Sequence, residues 1–208
     1  GLNYKNAFAK TYIPDLEDSI IRQPIPKEII EKVQKECVYI NDPNRWLIAL
    51  ISDTGMRLSE ALGLKVSDIK LDEEIPFINI IPNSARRLKT KNSQRQIPLV
   101  GLSLWAAKQI YSNVKGEFAF PHYTIKDYCH TNSASAALNK WLKSRVPNHC
   151  VVHSFRHSMR DRLRAINCPS EMIDQIGGWS SSNIGQSYGN GYNLGIKFKQ
   201  IKKIIINF

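Results

Sequence analysis

Apolar positions recur at helical spacing along most of this chain and run continuously over one short stretch. The clearest stripe is Phe155, Met159, Leu163 and Ile166, spaced four, four and three residues apart. A period of 3.6 puts them on one face. This predicts a helix from His153 to Ala165, with His153, Arg156 and His157 together on another side. Trp46, Leu47, Ala49, Leu50 and Ile51 predict an earlier helix, opened by Asp42-Pro43 and broken at Thr54-Gly55. Pro26 leads a helix through Val33, since proline suits a first helical turn. Arg57 begins a short helix through Leu62. Further helices are predicted around Leu104, Ala107 and Ile110, over Ser133–Lys143, and over 169–176, where Gly177-Gly178 stops the last one.

Strands are predicted at 65–69, 75–81 and 94–99. Phe77-Ile78-Asn79-Ile80-Ile81 is the strongest run and Pro82 stops it. The segment from Arg86 to Gln94 is then a turn between two strands. The expected class is α+β: a mostly helical domain with a small antiparallel sheet of three strands. Pro14, Pro24 and Pro26 make residues 1–26 an extended lead-in, so the domain is expected over 27–208. Its tail, from about residue 190, carries Ile196, Phe198, Ile201, Ile204 and Ile205. That is too apolar for a free terminus, and packing on the same chain is one expectation for it.

Composition narrows the partners. The 208 residues suffice for one core, with room for two small lobes. No uninterrupted apolar stretch is long enough to span a membrane, and the N-terminal stretch lacks a charged-then-apolar signal pattern. Cys37, Cys129, Cys150 and Cys168 show no CxxC spacing and read as reduced thiols of a cytoplasmic protein. Net charge is +11, from 29 Lys and Arg against 18 Asp and Glu, which favours a polyanion. Arg86, Arg87, Lys89, Lys91 and Arg95 lie close together, and Arg156, Arg160 and Arg164 share one helix face. Among them Arg86, Arg87, Lys91, Arg95 and Arg160 are candidate DNA contacts, although a solvated basic face has the same pattern.

Six residues in order, Arg57, Lys89, His153, Arg156, Trp179 and Tyr188, supply the parts of a metal-free phosphoryl transfer. Fixed cations aimed at the non-bridging oxygens are usually the largest catalytic term. Arginine gives them in a planar fork, so Arg57 and Arg156 are the candidate clamp. Glu60 sits three residues after Arg57 and can hold it from behind. A lysine can protonate the leaving 5′ oxygen. Lys89 is the candidate and Lys91 its rival. Tyr188 is the candidate nucleophile, with Tyr192 as rival. His153 would assist proton transfer, His157 would support it, and Trp179 would donate its indole N–H. His149, Cys150, His153 and His157 lack both the glutamate of a metalloprotease motif and a CxxC pair, so no metal is expected. No glycine-rich phosphate loop is present, so no nucleotide cofactor is expected either.

The residues Thr54-Gly55-Met56-Arg57-Leu58-Ser59-Glu60, the run Leu88 to Leu99, the box His153-Ser154-Phe155-Arg156-His157, and the nine-residue step from Trp179 to Tyr188 together resemble the catalytic domain of tyrosine recombinases of the phage-integrase family. Many members carry histidine where this chain has Trp179; either residue donates one hydrogen bond. The family alignment favours Lys89 over Lys91 and Tyr188 over Tyr192. The resemblance implies a 3′-phosphotyrosyl intermediate, double-stranded attachment-site DNA as partner, and a homotetramer on synapsed duplexes from protomers that are monomeric without DNA. It also implies a directionality factor, a host DNA-bending protein and N-terminal DNA-binding domains outside this chain. The tail would dock on its own or a neighbouring protomer. Two other readings use the same residues: a type IB topoisomerase, and a non-catalytic DNA-binding module, which predicts loss of at least one of these residues.

Overall fold

A computed structural model describes residues 23–88, 90, 93–179 and 191–206. Helix α1 (Lys27–Ile40) starts after Pro26. Helix α2 (Pro43–Thr54) is capped by Asp42, whose side chain accepts from the Arg45 N–H, and ends at Gly55 in the left-handed conformation. These are the start and stop signals expected from the sequence. The short α3 (Leu58–Leu62) has Arg57 as its N-cap residue. Then come α4 (Gly101–Asn113), α5 (Thr131–Leu142), α6 (Ser154–Ala165), α7 (Ser170–Gly177) and α8 (Leu194–Lys203).

Strands β1 (Ile69–Lys70), β2 (Phe77–Ile80) and β3 (Arg95–Pro98) form one antiparallel sheet in that order. The basic segment therefore does connect two paired strands. Ile78 pairs with Ile97, and Ile80 with Arg95. The strand expected at 65–69 is a correction: Val66–Asp68 is a 3-10 turn, closed by the Asp68 side chain accepting from the Lys65 N–H, and pairing starts only at Ile69. A second, two-stranded hairpin of β4 (Thr124–Ile125) and β5 (Tyr128–Cys129) had no apolar alternation to announce it. All four cysteines are free. Among the described residues no helix is long and apolar enough to cross a membrane.

The interior divides into two clusters. The larger gathers the inner faces of α1, α2, α4, α5 and the three-stranded sheet around Leu47, Leu50, Leu62, Ile78, Ile97 and Phe155. The smaller holds Met159, Leu163, Met172, Ile173, Ile176, Ile201 and Ile204, from α6, α7 and α8. Helix α6 belongs to both, with Phe155 in one and Met159 and Leu163 in the other. Its far end is pinned by Arg162, which reaches Asp53 of α2 at 3.3 Å. Asp53 also accepts from the Leu102 N–H at 2.9 Å and from Gln34 at 3.1 Å, so α1, α2, α4 and α6 meet at one buried carboxylate. On the other side, Ile25 and Ser158 exchange hydrogen bonds of 2.7 and 3.1 Å. The rotation and height of α6 are thereby fixed, and the functional residues at its start inherit that placement.

The tail follows the expectation of packing on its own chain: Ile201 is fully buried in the smaller cluster. We expect Ile201→Ala to destabilise the chain by about 2–5 kcal/mol, the cost of emptying a well-packed apolar site. Denaturant unfolding checks this. A loss below about 0.5 kcal/mol, typical of a surface position, would mean that α8 is not docked on its own chain in solution.

Candidate active site

Three chain segments converge through side chains of α3, β3 and α6. The Glu60 carboxylate is only 3% exposed and accepts four hydrogen bonds. Arg57 donates to it from its backbone N–H at 2.8 Å and from Nη1 at 2.6 Å. Arg95 donates from Nη1 at 3.2 Å and from Nη2 at 2.9 Å. Burial alone would raise the Glu60 carboxyl, but Arg95 and then Arg57 override it and hold the group down at about 2.

Arg57 also reaches forward. Its Nη2 donates to the Gly178 carbonyl at 3.1 Å and its Nη1 lies 3.4 Å from Ser93 Oγ. Gly178 ends α7 with φ +64°, and a Cβ there would sit 2.6 Å from Arg95 Nη1; glycine meets both demands. At Gly177 the Trp179 ring folds back so closely that any Cβ would overlap it. The two glycines thus do more than end a helix: they let Trp179 turn back over the site.

Arg156, from the first turn of α6, donates Nη1 to the Gly55 carbonyl at 2.6 Å and stacks on the Trp179 ring at 4.1 Å. Arg160 lies over the same ring at 4.8 Å and pairs with Asp174 at 3.1 Å. Arg156 Nη2 is buried and, among the described residues, has no hydrogen-bond partner. Burial first, then the nearby Arg57 and Arg95 guanidiniums, push the Arg156 group down to about 9. A concentration of positive charge with an unspent donor is an anion site by its chemistry. His153 immediately precedes the same helix, three residues before Arg156, and its ring meets His157 edge-on at 5.3 Å.

The structure therefore brings Arg57, Glu60, His153, Arg156 and Trp179 into one region. Lys89, Lys91 and Tyr188 lie outside the described residues, as does the lead-in over 1–22. Two expected DNA contacts need correction. Arg86 is 2% exposed, with Nη2 on Asp68 at 2.9 Å and Nε on the Ile81 carbonyl at 2.8 Å. Arg95 is 7% exposed and committed to Glu60. Neither can face DNA, because both are consumed by buried ion pairs. Arg87 is exposed and Arg160 half-exposed. Ser93, Asp174 and Gly178 were missed. Period-two alternation was the available signal for Arg95: Ile97 faces the core, so residue 95 of the same strand must too.

A sequence profile described as the phage integrase family matches residues 24–193. The chain belongs to this family. A tyrosine recombinase of Agathobacter rectalis is 26% identical over 98% of this chain and 68% of its own length. Tyrosine recombinase XerC of Neisseria meningitidis is 25% identical, over 84% of this chain and 58% of its own length. The transposase from transposon Tn916 of Enterococcus faecalis is 24% identical over 75% of this chain and 49% of its own length. The chain thus spans between about half and two thirds of these curated relatives. Among solved structures, XerH recombinase bound to its difH substrate superposes with a TM-score of 0.59 at 20% identity, covering 77% of this chain and 47% of that one. The Tn1549 integrase bound to circular-intermediate DNA gives 0.58 at 18%, covering 90% and 67%. These likenesses show the α+β catalytic-domain fold of tyrosine recombinases, mostly helical with a three-stranded antiparallel sheet.

The buried Glu60 charge makes stability depend on pH with a defined sign. Its folded value, about 2, lies below the ordinary 4.5. Its contribution is complete above 4.5 and is lost as pH falls toward 2. We expect Glu60→Gln to lose about 3–5 kcal/mol at neutral pH, as breaking a buried pair does, and to lack this acid-limb slope. Urea unfolding across pH 2–7 reads both. A wild-type limb parallel to that of the variant would contradict the assignment.

Proposed function

We propose that this chain is the catalytic unit of a site-specific recombinase that cuts and rejoins DNA through Tyr188. The observation that carries the reading is the Arg57–Arg156 pair: two guanidiniums in a largely buried site, one with a donor left over for an anion. A phosphodiester supplies that anion, and its transition state strengthens the contact. Family membership and the recombinase names of the relatives support the same reaction class.

The chemistry then runs as follows. The Tyr188 phenol oxygen attacks the scissile phosphorus while its proton passes to His153 or solvent. The bond to the 5′ oxygen breaks, and that oxygen takes a proton from Lys89, or from its rival Lys91. The energy of the broken bond is kept in the 3′-phosphotyrosyl link, so rejoining needs no ATP. Arg57 and Arg156 bind the non-bridging oxygens, and Trp179 presents its ring to Arg156 and its indole N–H to the phosphate. Arg87, Lys91 and Arg160 are the remaining candidates for contacts to the DNA backbone. The partner is double-stranded DNA. A tetramer on two synapsed duplexes, directionality and DNA-bending factors, and service to a mobile element come with the reading by family likeness.

Trapping on a nicked suicide duplex carrying the attachment core of its element tests this. We expect a covalent DNA adduct from wild type, its loss in Tyr188→Phe, and its retention in Tyr192→Phe. Tyr192 is half-buried against the smaller cluster, and its N–H is held by Gln175 at 2.8 Å. Arg57→Ala should slow adduct formation by about 10²–10³-fold. An adduct that survives Tyr188→Phe would sink the assignment. Plasmid relaxation without any specific site would move the chain to the topoisomerase class.

A further inference from the structure

Arg95 has a sequence setting that suggests a DNA contact and a structural setting that forbids one. Its guanidinium makes four hydrogen bonds, at least one from each nitrogen. Nε donates to the Ile176 carbonyl at 2.8 Å, Nη1 to the Ser93 carbonyl at 2.7 Å, and Nη1 and Nη2 to the two oxygens of Glu60. Ile176 lies at the end of α7, just before the Gly178–Trp179 turn. Ser93 lies at the foot of the segment that carries Lys89 and Lys91.

Arg57 touches the same three places from the other side: Glu60, Ser93 through its hydroxyl, and Gly178 through its carbonyl. The two side chains differ in depth. Counting side-chain atoms alone, Arg95 is 3% exposed, Glu60 4% and Arg57 22%. The order from core to solvent is therefore Arg95, Glu60, Arg57. A carboxylate held on one edge by a rigid fork has little freedom to tilt, so whatever it holds on the other edge is aimed.

We propose that Arg95 is the positioning residue for Arg57, acting through Glu60, and that it makes the phosphate clamp form only when β3 and the end of α7 are both docked on α3. The proposal rests on the recombinase reading for its consequence in catalysis. Its geometric content, that Arg95 holds Arg57 still, stands without it. Arginine is required because the role uses three edges of one planar group; lysine would keep the charge and lose the fork.

A double-substitution cycle tests it. Covalent adduct formation on the suicide duplex is compared for wild type, Arg95→Lys, Arg57→Ala and the double variant, with thermal unfolding in parallel. Arg95→Lys should slow the reaction by about a hundredfold, the cost of a small misplacement of a reacting group. In the Arg57→Ala background the same change should cost less than about twofold, because Arg95 acts only through Arg57. Equal slowing in both backgrounds would overturn the proposal and leave Arg95 as general scaffolding. If Arg95→Lys does not fold, Arg95→Gln enters the same cycle.

A second arm needs no DNA. In nitrogen-15-labelled protein the Arg57 guanidinium N–H signals should be resolved in wild type and averaged in the Arg95 variant. Unchanged Arg57 signals would refute the positioning role even if wild type formed no adduct on any DNA. That last result would count against the recombinase reading alone.

Discussion

Glu60 is a charged carboxylate inside a protein. Removing such a group from water costs several kcal/mol unless other groups replace the solvent. Here four donors replace it, and they come from two elements far apart in sequence. Helix α3 is too short to hold a geometry by itself. It becomes fixed because its acidic residue must be solvated by β3 from behind. Strand β3 in turn reaches α7 through Arg95 Nε. One electrostatic requirement thus joins the small sheet to the helical layers, and the site is built on the join.

Across that join the charge is unbalanced. Arg57 and Arg95 share a single carboxylate, and among the described residues Arg156 has carbonyl and aromatic partners but no paired carboxylate. Burial and the neighbouring cations work against its charge. The Trp179 ring recovers part of this through its electron-rich face. The remainder is a standing cost in the unliganded chain, carried because the rest of α6 is so strongly fixed by Phe155, Met159, Leu163 and the Asp53–Arg162 pair. An entering phosphate would neutralise the excess and use the spare Arg156 donor. Folding and binding therefore pull in opposite directions at this residue, which is common where preorganised electrostatics do the chemistry.

The parts of the fold legible in the sequence were those set by local rules. Pro26, Asp42-Pro43, Gly55, Pro169 and Gly178 marked helix ends because caps depend on a few adjacent residues. The apolar stripe of α6 marked its inner face. The strand at 65–69 was misplaced because Asp68 folds back on the Lys65 N–H and tightens those residues into a turn, an event apolar pattern does not record. Hairpin β4–β5 is too short to show a pattern at all. The motif grouped Arg57, Glu60, His153, Arg156 and Trp179, which the structure places in one region, but it did not point to Arg95 as the second partner of Glu60. Arg86 and Arg95 were grouped with DNA contacts because a run of basic residues looks alike whether it faces solvent or core. What separates them is Asp68 and Glu60, 18 and 35 residues away, and no local rule connects those pairs.

Arg95 also shows where composition misleads in a basic protein. A net charge of +11 invites every arginine to be counted toward a nucleic-acid surface. In this chain Arg86, Arg95 and Arg162 are spent on buried carboxylates that tie secondary elements together. The cations left for a polyanion are the ones whose partners are weak, shared or absent. For Arg57 and Arg156 that incompleteness is what makes them available. It can be tolerated there because the completed pairs beneath them hold the scaffold rigid.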